Sequence, residues 1–358
     1  MYNKIKSSIC QGGVMLKHFK MITGLLLIFT ILFGTGSVQA NMFYQDNVTV
    51  ELHNQSQWYT VNGVWKEYPK VCSMDENGNF YVPANLFREL FDCAVTYFSD
   101  SHGVLVTRNQ TVLWQGIDNH TIYLNDVPYT DAAPYMDESG EIFLPVLPYA
   151  VPIGFSCSLT FPDDYPEGKL TVSGQKTFGI LKSDSPVSDE RAKISRIVVN
   201  KNMQMVTIYA KKPNGEEFPV KYSICSTGIN YEDTPDGTYR AKKLTYAPSY
   251  GQWYYFKEPD VYITYVTNII GNVCFHSVSF LNLFDVDSLY RPSYTNLGKR
   301  ASAGCIRLLV EDARFIWENC NGALIEIGPG QITDELSWRK QEIKNNMLPV
   351  QDYINKIR

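Results

Sequence analysis

The segment Ser302-Ala303-Gly304-Cys305-Ile306-Arg307-Leu308 places a cysteine directly after a glycine, at the start of an alternating apolar and polar pattern. Glycine lets the backbone turn tightly and expose its N–H groups, and the alternation that follows is typical of a strand. A cysteine at such a turn becomes a strong nucleophile when a nearby imidazole or a positive backbone dipole makes it a thiolate. The N–H groups around Gly304 would then stabilise a developing oxyanion. The segment therefore predicts acyl transfer by Cys305.

The partner that this chemistry needs is a histidine. His276, in Phe275-His276-Ser277, is the only histidine between residues 173 and 358. If an imidazole of this half activates Cys305, it is therefore His276, unless another chain provides one. Two turn-like segments precede it, Ser226-Thr227-Gly228 and Thr234-Pro235-Asp236-Gly237. Two alternatives stay open: a buried core cysteine at position 305, and a core histidine within an apolar strand at position 276.

These segments, in this order, resemble the L,D-transpeptidase catalytic domain of the YkuD type over about residues 194–328. The resemblance implies a β-rich sandwich with one or two helices, and it implies that the carbonyl of Ser277 orients the imidazole. The catalytic set is then Cys305, His276, Ser277 and Gly304, and the substrate-binding set is Arg307, Ser302 and Ala303. A purely structural ion pair is an equal alternative for Arg307.

The sequence departs from that family's pattern at two places. Ala303 stands where the family usually has a histidine, which removes one side-chain donor near the oxyanion site. The 28 residues between His276 and Cys305 form a longer spacer than usual. The extra length predicts a lid-like insertion between Phe280 and Lys299.

Residues 46–174 contain an internal duplication with a spacing of 62 residues. Asp75-Glu-Asn-Gly-Asn-Phe-Tyr-Val-Pro83 echoes Asp137-Glu-Ser-Gly-Glu-Ile-Phe-Leu-Pro145, and Val61-Asn62-Gly63 and Leu124-Asn125-Asp126 are matching turn signals. Each unit predicts a hairpin, a short helix and a hairpin, and two packed units would share one core. Leu86, Phe87, Leu90 and Phe91 have helical spacing, whereas Pro148 and Pro152 weaken the second helix. The fold class is therefore mainly β, with an α+β repeat domain before the catalytic domain.

The repeat half resembles the copper amine oxidase N-terminal-like domain, through its recurring Gly-x-x-(aromatic)-(aliphatic)-Pro pattern. The family name does not imply copper here, because a copper site needs clustered imidazoles. His53, His102 and His120 are scattered and lack ligand spacing. We therefore expect neither a metal nor a cofactor.

The remaining segments predict the boundaries of the domains. Residues 175–193 are polar and indicate a linker. Ala313, Ile316, Trp317 and Cys320 share one helical face, and Gly322 suits the end of that helix. Residues 329–358 predict a tail that is helical until Pro349.

Residues 1–40 have the features of a signal peptide. Lysines precede the apolar run Met21–Phe33, which is too short to span a bilayer, and Val38-Gln39-Ala40 is suited to cleavage. Cleavage would leave seven cysteines, an odd number that leaves at least one thiol free. The net charge is −5 and no long basic run follows residue 45, which argues against a nucleic-acid partner.

Together these features favour a secreted or cell-wall-associated peptidoglycan L,D-transpeptidase with a role in cell-wall organisation and cell shape. Its partners would be peptidoglycan stem peptides. One alternative is an L,D-carboxypeptidase, in which water resolves the same thioester. The other is a wall-binding protein in which the same fold has little or no activity, which the substitution at Ala303 favours slightly.

Overall fold

The computed structural model describes residues 42–188, 191–245 and 252–358. The predicted signal peptide at residues 1–40 lies outside these ranges. The fold is mainly β, with 45% strand and 17% helix, which confirms the predicted class. No helix within the described ranges is long and apolar enough to cross a membrane.

Among the described residues, the first half has thirteen strands and two short helices. The strands are β1 (Phe43–His53), β2 (Ser56–Val61), β3 (Val64–Met74), β4 (Phe80–Pro83), β5 (Ala94–Phe98), β6 (Gly103–Arg108), β7 (Thr111–Gly116), β8 (Thr121–Leu124), β9 (Val127–Thr130), β10 (Tyr135–Met136), β11 (Ile142–Pro145), β12 (Ser156–Thr160) and β13 (Lys169–Gly179). The helices are α1 (Ala84–Phe91) and α2 (Val146–Ala150). They build an eight-stranded sheet, in the order β10-β11-β4-β3-β2-β1-β13-β12, and a five-stranded meander from β5 to β9.

The duplication in the sequence appears as a pseudo-twofold arrangement of the two units. The Asp-x-x-Gly turns close the equivalent hairpins β3–β4 and β10–β11, since the amides of Gly78 and Gly140 donate to the carbonyls of Asp75 and Asp137. Strands β4 and β11 then pair with each other in antiparallel fashion, with Val82 opposite Leu144. The two copies of the repeat therefore meet along their equivalent strands.

Both units contribute to one hydrophobic core, as the duplication predicts. Leu86, Phe87, Leu90 and Phe91 of α1 are buried in it, together with Tyr149 of α2 and residues of both sheets. Helix α1 has eight residues and α2 only five, because Pro148 lies within α2 and Pro152 follows it. The Asp-x-x-Gly hairpins, both helices and the shared core were thus predicted correctly.

The second half has eleven strands and four helices within the described ranges. The strands are β14 (Lys193–Asn200), β15 (Met205–Lys211), β16 (Glu217–Ile224), β17 (Gly237–Arg240), β18 (Lys242–Lys243), β19 (Trp253–Phe256), β20 (Val261–Thr264), β21 (Thr267–Ile270), β22 (Val273–Ser277), β23 (Ile306–Leu308) and β24 (Leu324–Gly328). The helices are α3 (Arg291–Thr295), α4 (Val310–Asn319), α5 (Asp334–Asn345) and α6 (Val350–Ile357).

Two sheets of this half share a core. One has the strand order β16-β15-β14-β24-β17 and the other β18-β21-β22-β23. Ile197 and Val206 from the first sheet pack with Phe275 and Ile306 from the second, and Ile316 of α4 completes the same cluster. Strands β22 and β23, which carry the predicted site, are therefore anchored on a filled apolar face.

The insertion after Phe280 is packed against the C-terminal tail. Tyr294 of α3 stacks on Tyr353 of α6, with ring centroids 4.5 Å apart, and its hydroxyl donates to the carbonyl of Leu348. Helix α5 ends before Pro349, as predicted, but Pro349 also caps α6, which the sequence analysis missed. The predicted lid-like insertion is thus part of a third hydrophobic cluster.

The predicted linker is shorter in the structure, because β13 continues to Gly179. Residues 175–179 pair along their whole length with β1, so their polar side chains belong to a strand rather than to a loop. Strand β1 also contacts the second half. The hydroxyl of Tyr44 accepts a hydrogen bond from the amide of Ala192, and Asp46 pairs with Lys212 at 3.0 Å.

Candidate active site

The turn before Cys305 requires a glycine. Gly304 has φ +133°, and a Cβ at this position would lie 2.6 Å from the carbonyl oxygen of Asp233. Its N–H donates to Ser302 Oγ at 3.2 Å, and the Ser302 hydroxyl donates to the carbonyl of Cys305 at 2.6 Å. The buried Ser302 therefore braces the turn internally, and the Gly304 N–H is already used within it.

The segments that the sequence analysis grouped together do meet at this turn. Thr234 Oγ1 accepts from the amide of Gly228 at 2.9 Å and donates to the carbonyl of Gly304 at 2.6 Å. Isolated bridges also join Gly228 to Ser302 and Ser226 to Arg307. The Thr-Pro-Asp-Gly segment thus fixes the loop that carries Cys305.

Two buried polar residues that the sequence analysis did not single out support this arrangement. Lys201 is 1% exposed, and its ammonium donates to the carbonyls of Tyr231 and Thr234 and pairs with Asp236 at 2.6 Å. It therefore holds the segment that contains Thr234. The available signal was the position of Lys201 in a short polar segment, Asn200-Lys201-Asn202, between two apolar runs of the sequence.

Gln204 is the second of these residues. Its side chain accepts from the amide of Thr227 and donates to Thr227 Oγ1, both at 2.8 Å. The carbonyl of Thr227 in turn accepts hydrogen bonds from the amides of Ala301 and Ser302. Gln204 thus supports the loop that carries Cys305 from its other end.

The register of β22 and β23 places the candidate catalytic side chains on one face. The strands are parallel, with Phe275 opposite Ile306 and His276 opposite Arg307. Because side chains alternate between faces, Phe275 and Ile306 point into the core and His276 and Arg307 share the opposite face. Cys305, one residue before Ile306, lies on the same side as His276.

His276 is fixed in one tautomer. Its Nδ1 lies 2.6 Å from the carbonyl oxygen of Ser277, and since a carbonyl only accepts, Nδ1 carries the proton. Burial, assisted by the neighbouring Arg307 guanidinium, lowers the pKa of His276 to about 3. The imidazole is therefore neutral at pH 7, with Nε2 as the basic nitrogen.

Cys305 is partly exposed, and its thiol lies 3.4 Å from the carbonyl oxygen of Asn272. Interaction with the neighbouring Cys274 thiol, together with burial, raises the pKa of Cys305. This differs from the thiolate expected from the sequence, because the neutral His276 provides no positive charge. The arrangement can act chemically by general-base removal of the thiol proton during attack.

The two other predicted substrate-binding residues flank this thiol. Ala303 is exposed at the tip of the turn. Arg307 Nη1 donates to the carbonyl of Ala301 at 3.3 Å, which braces the loop, whereas its buried Nε has no partner in the described part of the chain.

No cluster of three potential metal-ligating side chains occurs among the described residues.

The comparisons with known proteins bear on the second half of the chain. Residues 194–332 match the L,D-transpeptidase catalytic domain family. This match does not extend into residues 46–174, for which the resemblance to a copper amine oxidase N-terminal-like domain stays a prediction. No curated protein is significantly similar to the chain.

Several solved structures are similar to parts of the chain. A fused Zn-dependent amidase/peptidase/peptidoglycan-binding domain-containing protein from Clostridium acetobutylicum is 25% identical over 37% of this chain and 50% of its own, with a TM-score of 0.27. An L,D-transpeptidase from Stackebrandtia nassauensis is 18% identical over 39% of this chain and 57% of its own, with a TM-score of 0.27. An L,D-transpeptidase from Mycobacterium smegmatis is 12% identical over 77% of this chain and 93% of its own, with a TM-score of 0.29. The chain thus spans only about half the length of the first two.

Proposed function

We propose that this protein is an exported peptidoglycan L,D-transpeptidase that works through a thioester on Cys305. One observation carries the proposal. The partly exposed thiol of Cys305 follows the Gly304 turn and shares a sheet face with His276, whose Nδ1 is fixed on the carbonyl of Ser277. A reachable thiol beside an oriented neutral imidazole is the arrangement that nucleophilic acyl transfer needs.

The reaction follows from the states of these two groups. Cys305 Sγ attacks the carbonyl of the amide that joins the third residue of a stem peptide, a diamino acid, to D-Ala. His276 Nε2 takes the thiol proton as the C–S bond forms and returns it to the departing amine of D-Ala. An amine from a second stem then attacks the thioester, forms the new amide and releases the Cys305 thiol.

The backbone supplies the oxyanion site in this proposal. Because the Gly304 N–H is donated to Ser302 Oγ, we assign the oxyanion donor to the N–H of Cys305 itself. Ala303 leaves the tip of the turn without a side-chain donor. The guanidinium of Arg307, on the same sheet face as His276, is the proposed ligand of a substrate carbonyl or carboxylate.

The repeat half serves, in this proposal, to hold the enzyme on the cell wall after export through residues 1–40. It contributes no catalytic side chain. Its strand β1 still supports the second half through Tyr44 and Asp46. A fragment beginning near Arg191 would lose these contacts, so we expect it to keep its thiol chemistry but to be less stable than the full chain.

Product analysis on purified stem peptides tests the proposal. Incubation with tetrapeptide stems should give cross-linked dimers together with free D-Ala, and Cys305→Ala should give neither. Release of D-Ala without dimers would indicate the carboxypeptidase instead. No product from the folded chain would support a wall-binding protein without activity, and Cys157→Ser serves as the control for a cysteine distant from the site.

A further inference from the structure

A second thiol lies directly beside the nucleophile. Cys305 Sγ is 3.4 Å and Cys274 Sγ 3.8 Å from the same oxygen, the carbonyl of Asn272. The two thiols also influence each other, since the pKa of Cys305 is raised and that of Cys274 is lowered by the neighbouring thiol. Two sulfur atoms that contact the same carbonyl oxygen are close neighbours in the site.

The fold places these two cysteines side by side. The register pairs Phe275 with Ile306, so one step back along the parallel strands brings position 274 beside position 305. Neighbouring strands lie about 4.8 Å apart, within the range of about 4.4–6.8 Å that separates Cα atoms in disulfides. The spacing of the two strands is therefore compatible with a disulfide between the two positions.

Cys274 also differs from the other buried cysteines. Burial alone raises the pKa of Cys72 to about 12, whereas interaction with the neighbouring Cys305 thiol lowers the pKa of Cys274. Asn268 Nδ2 donates to Cys274 Sγ at 3.6 Å and further favours its thiolate. Although only 5% exposed, Cys274 is thus prepared to react with its neighbour.

We propose that Cys274 and Cys305 form a reversible disulfide that protects the nucleophile and switches the site off. Deprotonated Cys305 attacks one sulfur of a low-molecular-weight disulfide, breaks its S–S bond and releases one thiolate, which takes up the proton. Deprotonated Cys274 then attacks Cys305 Sγ, forms the internal S–S bond and releases the second thiolate, which is protonated in the same way. The two cysteines are oxidised and the external disulfide is reduced to two thiols; an external dithiol reverses both steps.

Formation of the disulfide does not depend on the enzyme's activity. Only the expectation that it stops acyl transfer rests on the proposed function, because it requires Cys305 to be the nucleophile. An exported protein would meet conditions in which such a bond persists. A reversible disulfide would also keep Cys305 from irreversible oxidation to sulfinic acid.

The test uses the reduced full chain with oxidised glutathione as the probe, followed by intact mass, non-reducing peptide mapping and alkylation of Cys305. The wild type should lose two hydrogens in mass, give a Cys274–Cys305 cross-linked peptide and lose all alkylation at Cys305. Dithiothreitol should restore the alkylation. Cys274→Ser should stop at a glutathione mixed disulfide on Cys305, and Cys157→Ser should behave like the wild type.

Three results would overturn the inference: a wild type that also stops at the mixed disulfide, a cross-link between other cysteines, or no reaction. The mapping on the wild type stands even if Cys274→Ser unfolds. If the disulfide forms but the reduced chain does not react with stem peptides, the proposed function fails and this inference stands. If the stems acylate Cys305 and no disulfide forms, the proposed function stands and this inference fails.

Discussion

The hairpin turns of the repeat half and the loop that carries Cys305 are held in different ways. Asn62 and Asn125 occupy equivalent turns with φ of 51° and 47°, and their side chains accept from the amides of Thr49 and Val112, each 13 residues earlier and 2.9 Å away. The turn at Gly304 instead depends on Thr234, which lies 70 residues away in the sequence. Repeated sequence thus reproduces repeated structure where the contacts are local.

The same contrast predicts that substitutions in the two regions have different effects. The equivalent turns of the repeat half contribute independently, since each is closed by its own neighbours. The contacts of the Cys305 loop depend on one another, because Lys201 and Gln204 hold the segments that hold Gly304. We therefore expect substitutions in the loop to act on several contacts at once.

Substitution of one glycine in each half should give the largest difference, measured as the rate of D-Ala release. Gly304→Ala places a Cβ 2.6 Å from the carbonyl of Asp233, so we expect D-Ala release to fall by ~100-fold or more as the oxyanion geometry is lost. At Gly140 no atom lies within 4 Å of an added Cβ, so Gly140→Ala introduces only backbone strain. It should leave kinetics unchanged; equal kinetic losses in the two variants would break the comparison.

Removal of the buried ammonium should have the next largest effect. Lys201→Met leaves the carbonyls of Tyr231 and Thr234 without their donor, so we expect unfolding free energy to fall by about 3 kcal/mol. Lys169→Met, which removes an ion pair with Glu51 nearer the surface, should cost less than about 1 kcal/mol. Denaturant unfolding of both variants measures the difference, and similar losses would count against the assigned role of Lys201.

Acidification should reveal the buried imidazole of His276. Its folded pKa of about 3 lies below its ordinary value of 6.5, so between these values the unfolded chain binds a proton that the folded chain does not. Stability is therefore lost as the pH falls below 6.5. From pH 7 to pH 5 this group should cost about 2 kcal/mol, at about 1.4 kcal/mol per pH unit.

Unfolding at both pH values measures this loss. His276→Gln should lose about 2 kcal/mol less than the wild type on acidification. His120→Gln, at an exposed position of the repeat half, should keep the wild-type dependence. An identical loss of unfolding free energy between pH 7 and pH 5 in the wild type and in His276→Gln would contradict a buried neutral imidazole at position 276.

The smallest effects should come from the equivalent turns. Asn62→Ala and Asn125→Ala each lose a side-chain hydrogen bond and retain a positive φ, so each should cost about 1–2 kcal/mol. The two losses should be similar and should add in the double variant. Asn→Gly at either position should cost less, because glycine tolerates the backbone conformation. Unequal or non-additive losses would show that the two turns are not equivalent.

Much of this fold could be predicted from the sequence because its signals are local. The Asp-x-x-Gly turns, helix α1 and the apolar face of α4 each depend on residues within a few positions of one another. The limits of the linker could not be predicted. Residues 175–179 have a polar composition, and only their pairing with β1 makes them a strand.

The sequence motifs and the family resemblance name Cys305, His276 and Ser277 as one site, and their catalytic roles stay predictions. The contact between His276 Nδ1 and the carbonyl of Ser277 was expected from the resemblance, whereas the electrostatics of the site were not. Nothing in the local sequence showed that Lys201 would be buried beneath the Thr234 segment. Nor did it show that Cys274 would lie beside Cys305, since both contacts depend on the packing of distant segments.

The most direct test of the central claim is the intact mass of the full chain after incubation with tetrapeptide stems. We expect a mass gain equal to one tripeptide acyl group, located on Cys305 by peptide mapping. The gain should be absent in Cys305→Ala and slower to appear at pH 7 in His276→Gln. An adduct on another residue, or D-Ala release by a folded Cys305→Ala variant, would contradict the proposed mechanism.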